Sequence, residues 1–154
     1  MKKERHLEVL KEVLEEIESA LNDVNGLVAH QRRLAFSLSL GAVNLLEIYF
    51  HDFAIMKEGS AMDHTWFKRK KENVLEKLQK QITSPVNSIK DIDEIIGIIM
   101  KIEEKRDDLA YGAPANEKIL QEKINLFFKL KRVVKCWSNM LVILYHIFWI
   151  MQRA

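Results

Sequence analysis

Apolar residues recur every three to four positions along most of this chain, and that spacing predicts helices almost throughout. Leu7, Leu10, Val13, Leu14, Ile17 and Leu21 mark one face of a helix from His6 to about Val24, with Glu and Lys on the other face. Asn25-Gly26 breaks it. Leu27 to about Met56 repeats the helical pattern with a more apolar face. Its small residues Ser37, Ser39, Gly41 and Ala42 allow close approach of another helix, with Gly41 as a packing notch. After a loop at Glu58-Gly59-Ser60-Ala61, a third helix is predicted from Trp66 to about Ile82, with Val74, Leu75, Leu78 and Ile82 inward. Thr83-Ser84-Pro85 ends it. Ser88 and Asp91 have capping-box spacing, and a fourth helix from about Ile89 to Tyr111 carries Ile92, Ile95, Ile96, Ile99 and Ile102 inward. Gly112 is placed as its left-handed C-terminal cap. Beyond Pro114 a last helical segment runs nearly to the end through Ile119, Leu120, Ile124, Phe127, Phe128, Val134, Trp137, Leu141, Leu144, Tyr145 and Phe148. Long helices with short connections predict an all-α, four- to five-helix up-and-down bundle, a single domain over residues 1–154.

Composition agrees with that pattern. Five glycines and two prolines are few breakers, and 48% hydrophobic with 30% charged residues describes a globular chain. Charge is nearly balanced, with 24 basic and 22 acidic residues. That argues against binding nucleic acid through overall charge but leaves room for a local RNA-binding patch. Cys136 is the only cysteine and sits in an apolar run, which fits an inert core thiol in a reduced, cytoplasmic setting. The charged stretch Met1 to Glu16 has no signal-peptide core. The apolar run Cys136–Met151 is shorter than the roughly 20 residues a membrane span needs. It reads as a central helix of the bundle or as a contact with another subunit, and no membrane is expected.

No glycine-rich phosphate loop, GxSxG or HExxH is present. The histidines His6, His30, His51, His64 and His146 are scattered and never pair at helical spacing, so neither metal nor cofactor is expected. Trp66-Phe67-Lys68-Arg69-Lys70-Lys71 mixes aromatic and basic residues, but consecutive cations on a helix spread around its axis. It reads as a solvated helix start with Trp66 and Phe67 packed inward. Lys129, Lys131, Arg132 and Lys135 read as a solvated face or part of a shared groove. His51-Asp52 reads as a chance neighbourhood, because adjacent helix residues point apart.

Arg106-Asp107-Asp108-Leu109-Ala110-Tyr111-Gly112 concentrates a cation, two carboxylates and a phenol at a helix end. This stretch resembles the signature of HEPN-domain proteins, an Arg followed by a polar residue and, after a gap of four to six residues, a His. In the form R-N-x-L-A-H-G, Arg106 matches the Arg, Asp107 the polar residue, Leu109-Ala110 the apolar pair and Gly112 the glycine. Tyr111 stands in the place of the His. The resemblance implies metal-independent RNA cleavage at a homodimer interface, with Arg106 and Asp107 on the phosphate. It also implies a partner of the nucleotidyltransferase antitoxin type, although some relatives are non-catalytic binding modules.

Tyr111 is where the sequence leaves that pattern. A phenol with a reference pKa of about 10 is a poor base at neutral pH, and losing the imidazole removes about a hundredfold or more of proton-transfer catalysis. Tyr111 retains a hydrogen-bond donor and a stacking face. Relatives of the toxin class often carry a modifiable Tyr two residues after the His; here that place is Ala113. On a regular helix, positions 106 and 111 lie roughly 140° apart, so they converge only if the helix loosens or two subunits contribute. Two readings follow. One is a HEPN-like dimer with weak or lost ribonuclease activity, using Arg106, Asp107 and Tyr111. The other is a non-catalytic interaction bundle, with Arg106 paired to Asp107, Glu103 or a neighbouring helix and Tyr111 filling space beside the cap.

Overall fold

The computed structural model describes residues 1–134 and 149–153. Six α-helices form among them: α1 (Lys3–Asn22), α2 (Gln31–Asp52), α3 (Lys71–Gln79), α4 (Ile92–Glu103), α5 (Arg106–Tyr111) and α6 (Glu117–Val134). Short 3-10 turns occupy Leu27–His30, His64–Lys68 and Val86–Ser88. The all-α bundle expected from periodicity is what folds. No strand forms among the described residues, and one isolated antiparallel bridge joins Met56 to Ile82. The expectations for Cys136, His146 and the apolar run as far as Phe148 concern residues outside those described.

α2 is the centre, packing against α1, α4, α5 and α6, while α4 also packs on α6. The apolar stripe of α1 (Leu10, Val13, Leu14, Ile17) is buried against it, as is the isoleucine stripe of α4. Gly41 is the notch predicted: a Cβ there would lie 2.7 Å from Phe127 Cε2 and 2.8 Å from Val13 Cγ1. The continuous stretch Leu27–Asp52 is long and apolar enough to cross a membrane by length and composition, with 78% of its most apolar window buried in the fold.

Three predicted boundaries move. The segment from Trp66 to Ile82 is not one helix. Asp63 accepts from the Thr65 N–H (2.8 Å) and starts the 3-10 turn, Phe67 anchors that turn in the core, and α3 begins only after an extended Arg69-Lys70. The expected helix from Ile89 to Tyr111 starts late and splits. Ser88 Oγ donates to Pro85 O rather than capping α4, and Asp91 enters α4 with φ +60°. At the other end Lys105 has φ +58° and separates α4 from α5. Lys123 of α6 fills the break, its amine donating to the carbonyls of Lys101, Ile102 (3.2 Å) and Glu104. A side-chain cation satisfying the last carbonyls of a helix is an ordinary C-terminal cap, here supplied from another helix. Burial pushes the Lys123 amine below its usual pKa.

Gly112 closes α5, but not in the left-handed conformation: its φ of −91° and ψ of −169° are extended. Glycine suits the position because a Cβ would sit 2.4 Å from Asp108 O, the carbonyl to which the Gly112 N–H donates at 2.8 Å. The chain after it is tied to α2 by Gln31, which is buried. Its amide donates to Leu109 O (3.0 Å) and Ala113 O (3.1 Å) and accepts from the Ala115 N–H (2.8 Å).

Candidate functional site

The break at Lys105 makes Arg106 the first residue of a short helix rather than the last turn of a long one. Its side chain, 12% exposed, lies across Phe36 of α2 with Cζ 4.9 Å from the ring centroid. A cation over an aromatic face at that distance is attracted by the ring quadrupole. Arg106 Nη1 donates to Asp107 Oδ1 at 2.9 Å, and Nε is buried without a hydrogen-bond partner among the described residues. Asp107 is exposed and shared: Lys68 Nζ donates to its other oxygen at 2.6 Å. The hydrogen bonds from Lys68 and then Arg106 hold the Asp107 carboxyl below its usual pKa. Tyr111 is 72% exposed and meets Phe36 edge-on, ring centroids 5.9 Å apart.

Phe36 is thus the piece that sequence reasoning lacked. The separation of Arg106 and Tyr111 around α5 is bridged by a third residue that touches both. The only trace in the sequence is an aromatic residue on the less apolar side of α2, where Phe36 and Leu40 remain 40% and 50% exposed. Of the expected site residues, Arg106 and Asp107 are in contact, and Tyr111 joins them through Phe36. Lys68, from the basic stretch read as a solvated helix start, belongs with them.

A second polar group lies one turn along the same face of α2. Glu103, at the end of α4, has a buried carboxylate that accepts from Ser39 Oγ and sits 3.3 Å from His64 Nδ1. His64 begins the 3-10 turn that ends in Lys68. That turn therefore lies alongside the α4–α5 junction, meeting Glu103 with its first residue and Asp107 with its last.

The other described histidines, His6, His30 and His51, hold helices together. His6 is completely buried, with Nδ1 2.7 Å from Asn44 Oδ1. Its Nε2 lies 2.8 Å from Glu47 Oε2, an ion-pair contact rather than a well-directed hydrogen bond. Burial opposes charging of His6, but Glu47 and Asn44 outweigh it and raise its pKa. His30 joins the end of α1 to the start of α2 through Glu16 (2.9 Å) and Asp23 (2.7 Å). Glu16 first, and Asp23 in addition, raise its pKa against the cost of burial. His51 packs 5.4 Å from the His6 ring, and burial followed by that neighbour lowers its pKa. Asp52, next to it in sequence, forms an ion pair with Lys3 of α1. Among the described residues no three His, Asp or Glu side chains converge as a metal site.

The arrangement provides a cation fixed on an aromatic ring, a second cation shared through one carboxylate, an exposed phenol and a carboxylate-bound imidazole. It can hold an anionic oxygen and stack a planar group. Compared with family models, with curated proteins and with solved structures, the chain matches none.

Proposed function

We propose that this chain is a HEPN-like helical protein that binds single-stranded RNA, acts as a homodimer in the cytoplasm, and has weak or lost ribonuclease activity. The observation that carries this reading is Arg106 laid on Phe36, beside the Asp107 carboxylate that Lys68 shares, with exposed Tyr111 against the same ring. A planar guanidinium suits two phosphate oxygens, and exposed aromatic faces suit an unstacked base. In this reading Arg106 takes the phosphate, Asp107 keeps Arg106 and Lys68 in register, and Tyr111 offers a hydrogen bond or a stacking face. The resemblance further implies a partner of the nucleotidyltransferase antitoxin type.

Binding and cleavage of labelled single-stranded RNA in the presence of EDTA test the reading. Arg106→Ala is expected to weaken binding by about tenfold, since a charge-assisted contact contributes roughly 1.5 kcal/mol or more. Wild-type protein that does not bind RNA, or a variant that binds equally well, removes the reading. The exposed Phe36, Leu40 and Tyr111 support a second reading, a protein–protein contact without chemistry. It predicts a dimer or larger by light scattering and no RNA binding.

A further inference from the structure

The stretch Arg106–Gly112 has a phenol where the HEPN signature it resembles has an imidazole, and an imidazole stands close by on another element. We infer that His64, oriented by Glu103, is the general base of a metal-independent RNA cleavage whose phosphate is held by Arg106. This inference rests on the RNA-binding reading above.

The geometry points to it in three ways. First, Glu103 and Arg106 are three residues apart, so roughly 11 Å of chain at most separates them. Second, both reach α2 within one turn, Glu103 at Ser39 and Arg106 at Phe36. Residues three apart on a helix are neighbours on its surface, so the two groups meet α2 at adjoining positions. Third, the turn carrying His64 is fixed at both ends of this junction, through Glu103 and through Asp107.

The chemistry of the pair is specific. The Glu103 side chain is 1% exposed and that of His64 is 34% exposed. A carboxylate can only accept, so the contact places the imidazole hydrogen on Nδ1 and leaves the Nε2 lone pair for a substrate. Ser39 occupies the other carboxylate oxygen, which fixes the direction of Glu103. A base held by a third group is the general arrangement of proton-transfer sites. His64 Nε2 takes the proton from a ribose 2′-hydroxyl, and the 2′-oxygen forms a bond to the adjacent phosphorus. The bond from phosphorus to the 5′-oxygen breaks, and that oxygen takes a proton from water. The products are a 2′,3′-cyclic phosphate and a 5′-hydroxyl, and the proton on Nε2 returns to solvent. Glu103 is a positioning residue in this scheme.

The test measures cleavage of a labelled single-stranded RNA in EDTA by the full chain and by Arg106→Ala, His64→Gln and His64→Ala, with end-group analysis of products. Both His64 variants are expected to lose about a hundredfold or more in kcat with KM within about threefold of wild type. Added imidazole is expected to restore part of the activity of His64→Ala, a rescue that a purely structural role would not show. His64→Gln keeps a donor for Glu103 and guards against loss of folding. A 2′-deoxy substitution at the cut site should abolish cleavage and leave binding intact. If Arg106→Ala is inactive while both His64 variants cut within about threefold of wild type, the assignment to His64 is overturned and the reading of Arg106 stands. Wild-type protein that binds this RNA without cutting it also overturns the assignment. Wild-type protein that does not bind overturns the reading of function, and this inference with it.

Discussion

Gln31 spends its amide donors and its carbonyl on α5 and the loop that follows it, at Leu109, Ala113 and Ala115. Gln31→Leu keeps the volume and strands two carbonyls and an N–H. We expect a loss of roughly 2–4 kcal/mol in urea unfolding, because each buried polar group left unpaired costs about 1–3 kcal/mol. The sequence shows this residue only as a polar position at a helix start, since its partners lie about eighty residues away and no local pattern marks them. His6 was equally illegible: a histidine among charged residues near the N-terminus is entirely buried because Asn44 and Glu47, on successive turns of α2, receive it. Its pKa is raised, so the charged form is the one the fold favours. The stability it contributes is fully present below the unfolded value of about 6.5 and is lost as pH rises through the folded value. The stability difference between wild type and His6→Gln, measured by chemical denaturation across pH, should therefore be largest in acid and shrink toward alkaline pH. A difference that grows with pH would contradict the raised pKa.

At the scale of the element, periodicity located the helices and missed their breaks. The α4 stripe ends at Ile102 and resumes at Leu109, seven residues on, so one continuous helix and two separated by Lys105 give the same pattern. What decides between them is Lys123, a residue of α6 whose contact with the break no local spacing marks. With its amine on the carbonyls at the end of α4, the chain can turn at Lys105 and aim Arg106 at Phe36. Lys123→Met keeps the stem and removes the donors. It should lower stability by about 1–3 kcal/mol and speed amide exchange in α5, read by hydrogen–deuterium exchange. The third predicted helix shortened for a related reason. Phe67 is apolar enough to anchor the basic stretch, yet it does so from a 3-10 turn, which a count of apolar spacings does not distinguish from an α-helix. The site inherits this: Arg106, Asp107 and Tyr111 were legible as a local cluster, whereas Phe36, Lys68, His64 and Glu103 enter through tertiary contacts alone.

For the whole molecule, the all-α architecture followed from breaker content and periodicity, and a place of close helix approach followed from Gly41. The identity of the neighbours did not, since Val13 and Phe127 come from helices on opposite sides of the glycine in sequence. Because both contacts are with packed side chains, Gly41→Ala should cost about 1–3 kcal/mol despite the better helix propensity of alanine, measurable as a fall in melting temperature. The same central position of α2 has a consequence during synthesis. The chain leaves the ribosome from its N-terminus, so of the helices that pack on Leu27–Asp52 in the fold only α1 has emerged before it. Its other neighbours, α4, α5 and α6, are translated afterwards. Until then the nascent chain displays a segment with the length and apolarity of a membrane span. Its fate is a race between translation of α6 and capture by insertion or chaperone machinery. Slow codons placed between α2 and α6 should therefore lower the yield of folded protein more than the same codons placed after Val134.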